Sequence, residues 1–361
     1  MKLQVIALKI SIKNALITNT ISSKALLTNT ISTNVTSNSP AYTNVPYKNQ
    51  RLVKLFFANS LLASSLLFSV LVLAAEPAKP LSNTTASVSH TITDDDHYTI
   101  QYERGMMYES GHNVPRDYVK AMEWYQKSAD QGYARAMNNI GYLYVKGLGV
   151  PQDNAKAFEW FHKAALKEFA EAQTNVGLSY IKGQGVPQDD AEALAWFIKA
   201  ANNGSASGQN NLATMYLEGM GITKDESKAF AWYQKSAIQG FAKAQNNLAH
   251  MYIAGLGTAV DYHEAFKWYQ VAARQGLPTS QDKLGLMYLL GKGTSKDANQ
   301  AAEWFEKAAQ QDFAQAQYHL AHLYAKGEGV KKDKVEAIFW FKKACENGYQ
   351  PSCSQYQINF P

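Results

Sequence analysis

The chain has 361 residues, 46% apolar and 18% charged, with a formal net charge of +5, so it has the material for a buried core. The charge is lopsided. Residues 1–75 hold seven Lys or Arg and no Asp or Glu, leaving 28 basic against 30 acidic residues beyond them, a net of −2. A near-neutral body argues against nucleic-acid binding, which needs a basic face to meet phosphates.

In chain order, residues 1–54 form a basic extension rich in Thr, Asn and Ser, in which ALITNTISS (15–23) is echoed by ALLTNTIST (25–33). It shows no helical stripe and little to bury. Residues 55–75, LFFANSLLASSLLFSVLVLAA, follow Lys48, Arg51 and Lys54 and close on small residues. That order of charge, apolar run and small residues is expected of a secretory signal, with cleavage after Ala74 or Ala75. The run is also about long enough to span a bilayer as an uncleaved anchor, although Asn59 and its serines weaken that reading. Residues 76–97 are polar and rich in Ser and Thr, and read as a flexible linker.

From Tyr98 the chain divides into seven units of 36 residues, spanning 98–349 without an insertion. All seven Trp residues fall in one register: Trp124, Trp160, Trp196, Trp232, Trp268, Trp304 and Trp340. A Tyr from Tyr108 to Tyr324 and an Asp from Asp117 to Asp333 keep the same period. Each unit reads as two helices. In the second, Met137, Ile140, Gly141 and Tyr144 make one helical stripe, and Ala157, Trp160, Phe161, Ala164 and Ala165 make another. Gly147 ends the first helix in a left-handed conformation, Pro151 blocks re-extension, and Asp153 caps the next helix. Asn113 replaces the second turn glycine in unit one and should keep the turn, because Asn tolerates positive φ. Glu168 and Asp312 replace the glycine that ends the second helix elsewhere, so those two junctions are expected to be less regular. A single helix pair cannot bury its apolar face, whereas stacked pairs share one continuous core. The expected fold is all-α: a right-handed α/α solenoid of seven helix-turn-helix repeats, with 350–361 as a C-terminal cap.

The pattern A-x-A-Q-x-N-L-G/A-x-x-Y-x-x-G-x-G-V-x-x-D…A…W-Y/F-x-K-A-A resembles the Sel-one-like repeat family, relatives of the tetratricopeptide repeats, over about 70% of the chain. The resemblance implies an adaptor, often exported in bacteria, that assembles or regulates complexes; it implies no reaction. Cysteine-rich relatives described as cell-wall or β-lactam hydrolases supply a competing enzymatic reading.

No catalytic set accompanies the repeats, so no catalytic residue, metal ligand or cofactor is expected. His319 and His322 lie three apart on a first helix with no Cys or acid beside them at ligand spacing, and read as a polar face. GKGTSK (291–296) misses the phosphate-loop pattern and reads as an inter-helix turn. Lys127, Lys163, Lys199, Lys235, Lys307 and Lys343 near the ends of second helices suit the helix dipole. Cys345 and Cys353 are the only cysteines; they pair if the chain is exported and are buried thiols otherwise.

The expected binding surface is the concave face lined by first helices. The sixth residue of that helix is Asn139, Asn175, Asn211 and Asn247 in four successive units. Their amides would either clamp the backbone of an extended peptide or hold neighbouring helices together. The fifth position and the ninth, which includes Tyr142, His250 and His322, vary and would supply specificity. The expected partner is therefore a protein or peptide, with no nucleic acid and no small-molecule cofactor. The expected location is the periplasm or beyond, or the inner membrane if residues 55–75 remain as an anchor.

Overall fold

The computed structural model describes residues 97–359. All regular structure among them is helical. First helices are α1 (Tyr98–Ser110), α3 (Ala134–Lys146), α5 (Ala170–Lys182), α7 (Ala206–Glu218), α9 (Ala242–Ala254), α11 (Pro278–Leu290) and α13 (Ala314–Lys326). Second helices are α2 (Tyr118–Asp130), α4 (Asn154–Ala165), α6 (Asp190–Asn202), α8 (Glu226–Ile238), α10 (Tyr262–Arg274), α12 (Ala298–Ala309) and α14 (Lys334–Glu346). Then α15 (Gln350–Asn359) starts in the register of an eighth first helix. Each helix packs on its partner in the repeat and on the next helix along, which makes an α/α solenoid. The apolar segment 55–75, the linker and the N-terminal extension lie outside the described residues.

The turn inside each repeat follows from local chemistry. Gly147 sits at φ 64° and closes α3, and Leu148 N–H then reaches back to Leu143 C=O at 3.0 Å. Asp153 accepts the Lys156 N–H at 3.0 Å, while its own N–H donates to Tyr144 C=O at 3.0 Å. The same Asp-to-Tyr backbone bond recurs in every repeat, from Asp117 to Asp333, at 2.8–3.2 Å. That bond locks the two recurring residues into one turn. The N-cap carboxyls of Asp117 and Asp225 are held below the usual range, chiefly by the backbone N–H groups of Lys120 and Lys228.

The substituted positions all keep the left-handed conformation. Asn113 keeps a positive φ of 64°, as expected. Glu168 and Asp312 also adopt the glycine conformation, at φ 61° and 58°. Their N–H groups bond to Ala165 and Ala309 at 3.0 Å, the link that Gly132 makes to Ala129. The irregularity is confined to the preceding helices: α4 and α12 have 12 residues where the other second helices have 13.

Packing divides the two neighbouring aromatic residues of each second helix between separate tasks. The residue after Trp fills the interior of its own repeat. Phe161, Phe197 and Phe305 lie against Gly141, Gly177 and Gly285, where an added Cβ would come within 2.5–2.7 Å of the ring. Trp instead packs on the preceding repeat, as Trp268 does on the cluster around Tyr233 and Leu248. The Lys three residues after Trp lays its ammonium over the Trp ring in five repeats, at 3.9–4.3 Å from the ring centre. These lysines occupy the last turn, as the dipole reading requires, and in addition cover the exposed side of the ring.

A buried amide clasp joins the repeats. Gln245 is 2% exposed; its Nε2 donates to Ala237 C=O of the preceding repeat at 3.1 Å and its Oε1 accepts from Gln275 at 2.7 Å. Equivalent clasps involve Gln173, Gln209, Gln281 and Gln317. The second repeat lacks both partners, with Met137 and Lys167 in their places. Gln245→Ala is expected to destabilise the solenoid by about 1–3 kcal/mol, since two buried hydrogen bonds are lost. Urea denaturation followed by circular dichroism measures it; a change within about 0.5 kcal/mol would mean that the clasp is idle.

Candidate functional site

Asn at the sixth position of a first helix has its polar group at the seam between repeats. Asn175 Nδ2 donates to Asn138 Oδ1 of the preceding repeat at 2.8 Å, and Asn175 Oδ1 accepts from the Tyr142 hydroxyl at 3.1 Å. Asn247 Nδ2 donates to Asn210 Oδ1 at 3.1 Å and its Oδ1 accepts from Asn246 at 3.4 Å. Asn211 Oδ1 accepts from Asn210 at 3.4 Å. Asn139 stands near the hydroxyls of Tyr102 and Tyr125 and holds their pKa values down against the rise that burial causes. Asn175 and Asn247 therefore serve the scaffold across a seam, while Asn211 bonds to its neighbour in the same helix. None is fully buried, and a side-chain amide has two donors and two acceptor lone pairs. Asn175 has two of its four positions engaged by the bonds above.

The fifth position belongs to the wall. Asn138, Thr174, Asn210 and Asp282 are buried, which removes them from the surface that a partner could touch. The ninth position is the accessible one: Tyr142 is 43% exposed and His250 is exposed. His322, also at the ninth position, is half-buried between Tyr318 and Phe341, with ring centres 4.5 and 5.0 Å away. Burial pushes its pKa down, with Lys326 and His319 adding to the effect.

One seam is ionic. Asp282 is 0% exposed, and its Oδ1 meets His319 Nδ1 at 2.7 Å, in the position taken by Asn210–Asn247 two seams earlier and by Asn138–Asn175 four seams earlier. Lys283 Nζ lies 3.8 Å from the other oxygen. Beneath it, the buried Tyr269 phenol is pushed up by burial and further by the Asp282 charge. No acid lies at ligand spacing from His319 in the sequence, but stacking brings Asp282 to it across 37 residues. The signal was present, because the fifth residue of one repeat meets the sixth of the next at that offset, but periodicity alone does not specify it. Among the described residues no group of three His, Cys, Asp or Glu side chains could hold a metal ion.

Two clefts open between consecutive first helices. The first, about 140 Å³, lies between α3 and α5 and is lined by Tyr142, Asn175, Ser179 and Lys182, with Phe161 as its floor. The second, about 120 Å³, lies between α5 and α7 and includes Asn211, Thr214, Met215 and Met220 above Phe197. Asn175, Asn211 and Tyr142 thus come together along one face. Asn139, Asn247, His250 and His322 line neither cleft. At the far end, Cys345 and Cys353 are joined in a disulfide with Cα atoms 4.7 Å apart, tying α14 to α15.

Comparison with known proteins agrees with this architecture. The model of the Sel1 repeat matches residues 101–133, 134–168, 170–205, 206–241, 242–277, 278–313 and 314–349. Among solved structures, c5321, a protective antigen of uropathogenic Escherichia coli strains displaying an SLR fold, is 35% identical with a TM-score of 0.60. That match covers 73% of this chain and 56% of the antigen, so this chain spans little more than half of its length. A Sel1 repeat protein from Oxalobacter formigenes is 33% identical with a TM-score of 0.60, covering 74% of this chain and 77% of that one. No curated protein matches the sequence. Sel1 repeats generally form non-catalytic scaffolds for protein–protein interaction, and the seven matched segments, with the solenoid they build, show that this chain belongs to the Sel1 repeat family.

Proposed function

We propose that the chain is a non-catalytic adaptor that holds an extended segment of a protein partner along its first-helix face, outside the cytoplasm. The observation that carries this reading is the pair of clefts one repeat apart, each bordered by a sixth-position Asn with hydrogen-bonding capacity to spare. Residues 1–54, 55–75 and 76–97 would be extension, export signal and linker, ahead of the solenoid at 98–349 and the cap at 350–361. The disulfide supports an oxidising compartment. Residues 55–75 also support a second reading, a membrane-tethered scaffold. No helix among the described residues is long and apolar enough to cross a membrane. Intact mass of the native protein separates the two: a chain beginning at Ala75 or Glu76 supports export with cleavage, and one retaining 55–75 supports the anchor. No observation favours the cell-wall or β-lactam hydrolase reading.

The adaptor reading is tested by selecting random linear peptides on the purified chain and measuring the winners against a variant with Asn139, Asn175, Asn211 and Asn247 all changed to Ala. The expected result is a loss of about tenfold or more in affinity, ~1.4 kcal/mol, beyond any effect of reduced folding. A variant that melts early yet binds as before when folded would reduce the four amides to seam bonds and sink the reading.

A further inference from the structure

The two clefts are the same place in successive repeats, with opposite chemistry. Tyr142, Val145, Ser179 and Gln184 in the first correspond, 36 residues on, to Leu178, Ile181, Met215 and Met220 in the second. Leu178 is a wall of both, so the clefts adjoin. Lys182 is the one charged residue that lines the first, and no acidic residue lines it. The second holds no charged side chain at all. One therefore suits a carboxylate and the other an aliphatic group.

Resting on the adaptor reading above, we propose that the bound segment is an extended peptide in the polyproline II conformation, with an acidic residue and an aliphatic residue three positions apart. The acidic side chain sits beside Lys182 and the aliphatic one between Met215 and Met220. Spacing selects this conformation. Successive first helices α5 and α7 touch, and touching helices lie roughly 8–10 Å apart. Three residues of polyproline II advance ~9 Å and bring the side chain back to the same side. A β-strand returns its side chain after two or four residues, ~7 or ~13 Å, and matches neither. Polyproline II also makes no internal hydrogen bonds, so its carbonyls and amides are open to Asn175 and Asn211.

The test uses the full chain and short synthetic peptides carrying one Glu and one Leu, separated by two, three or four positions in either order, in a Pro/Ala/Ser host. Binding is read by fluorescence polarisation. A spacing of three, in one of the two orders, should bind about tenfold or more tighter than the others. Lys182→Glu should reverse the preference, favouring Lys over Glu in the peptide, and Met220→Asp should abolish the advantage of Leu. Lys182 is exposed and Met220 only half-buried, so both variants should fold. Peptides that lose binding to the four-Asn variant but show equal affinity at every spacing would overturn this inference and leave the adaptor reading intact. If no peptide of this panel or of the random selection binds, both are overturned.

Discussion

Gly185→Ala is expected to destabilise the solenoid by about 3 kcal/mol or more, while Gly183→Ala, two residues earlier in the same turn, should cost only about 1–2 kcal/mol. Both glycines have positive φ, 78° and 62°, so both substitutions carry the left-handed strain of an L residue. They differ in what a Cβ would meet. At Gly183 the nearest atom is 3.5 Å away. At Gly185 the Cβ would stand 2.1 Å from the Asn154 carbonyl oxygen, at the start of the second helix of the preceding repeat. A carbonyl inside a helix cannot swing aside, so repeats two and three would have to part. The difference between the two variants, measured by urea denaturation, isolates the clash between repeats. Equal losses would mean that only backbone strain matters. The comparison also explains Asn113. The second turn glycine presses on the preceding repeat at Gly149, Gly221, Gly257, Gly293 and Gly329 as well. No Sel1 repeat precedes the first, and there the residue carries a side chain.

Removing the disulfide is expected to have the second large effect, concentrated at the C-terminal end. In the chain-entropy model, a closed loop the size of Cys345–Cys353 contributes about 2.6 kcal/mol. On its outer side the last repeat packs on α15, where the hydroxyl of the buried Ser352 donates to Phe341 C=O at 2.7 Å. Cys353→Ser should raise amide exchange in α15 and the last turn of α14 well above that of the central repeats, because a solenoid loses its end units without unfolding the rest. Reducing the native protein should reproduce the pattern. Identical exchange with and without reductant would show that no bond forms in solution and would remove the support it gives to an oxidising compartment.

Much of the fold was legible because a repeat states its rules seven times. The seven Trp residues set the register, each turn glycine marked a helix end, and each Asp marked the next helix start. These are local rules, in which a residue answers to the backbone within one turn of it. They held even where Glu168 and Asp312 departed from the pattern, at a cost of one residue of helix. The site was legible only in outline. The Asn row was visible as a row, yet Asn175 and Asn138 interact only because stacking offsets one repeat against the next. The same offset buried Asn138, Thr174, Asn210 and Asp282 at the fifth position, which had looked free to vary for specificity, and drew Asp282 onto His319.

By itself, then, the sequence determined the period, the helix boundaries, the capping residues and the all-α class, since each depends on near neighbours in the chain. Only the tertiary structure decided which polar groups close the seams, that Lys covers Trp, that a second turn glycine must stay bare, and that two adjoining clefts differ in character. Those outcomes depend on how far and at what angle one helix pair sits on the next. That geometry is a compromise over the whole contact surface, and no single repeat encodes it.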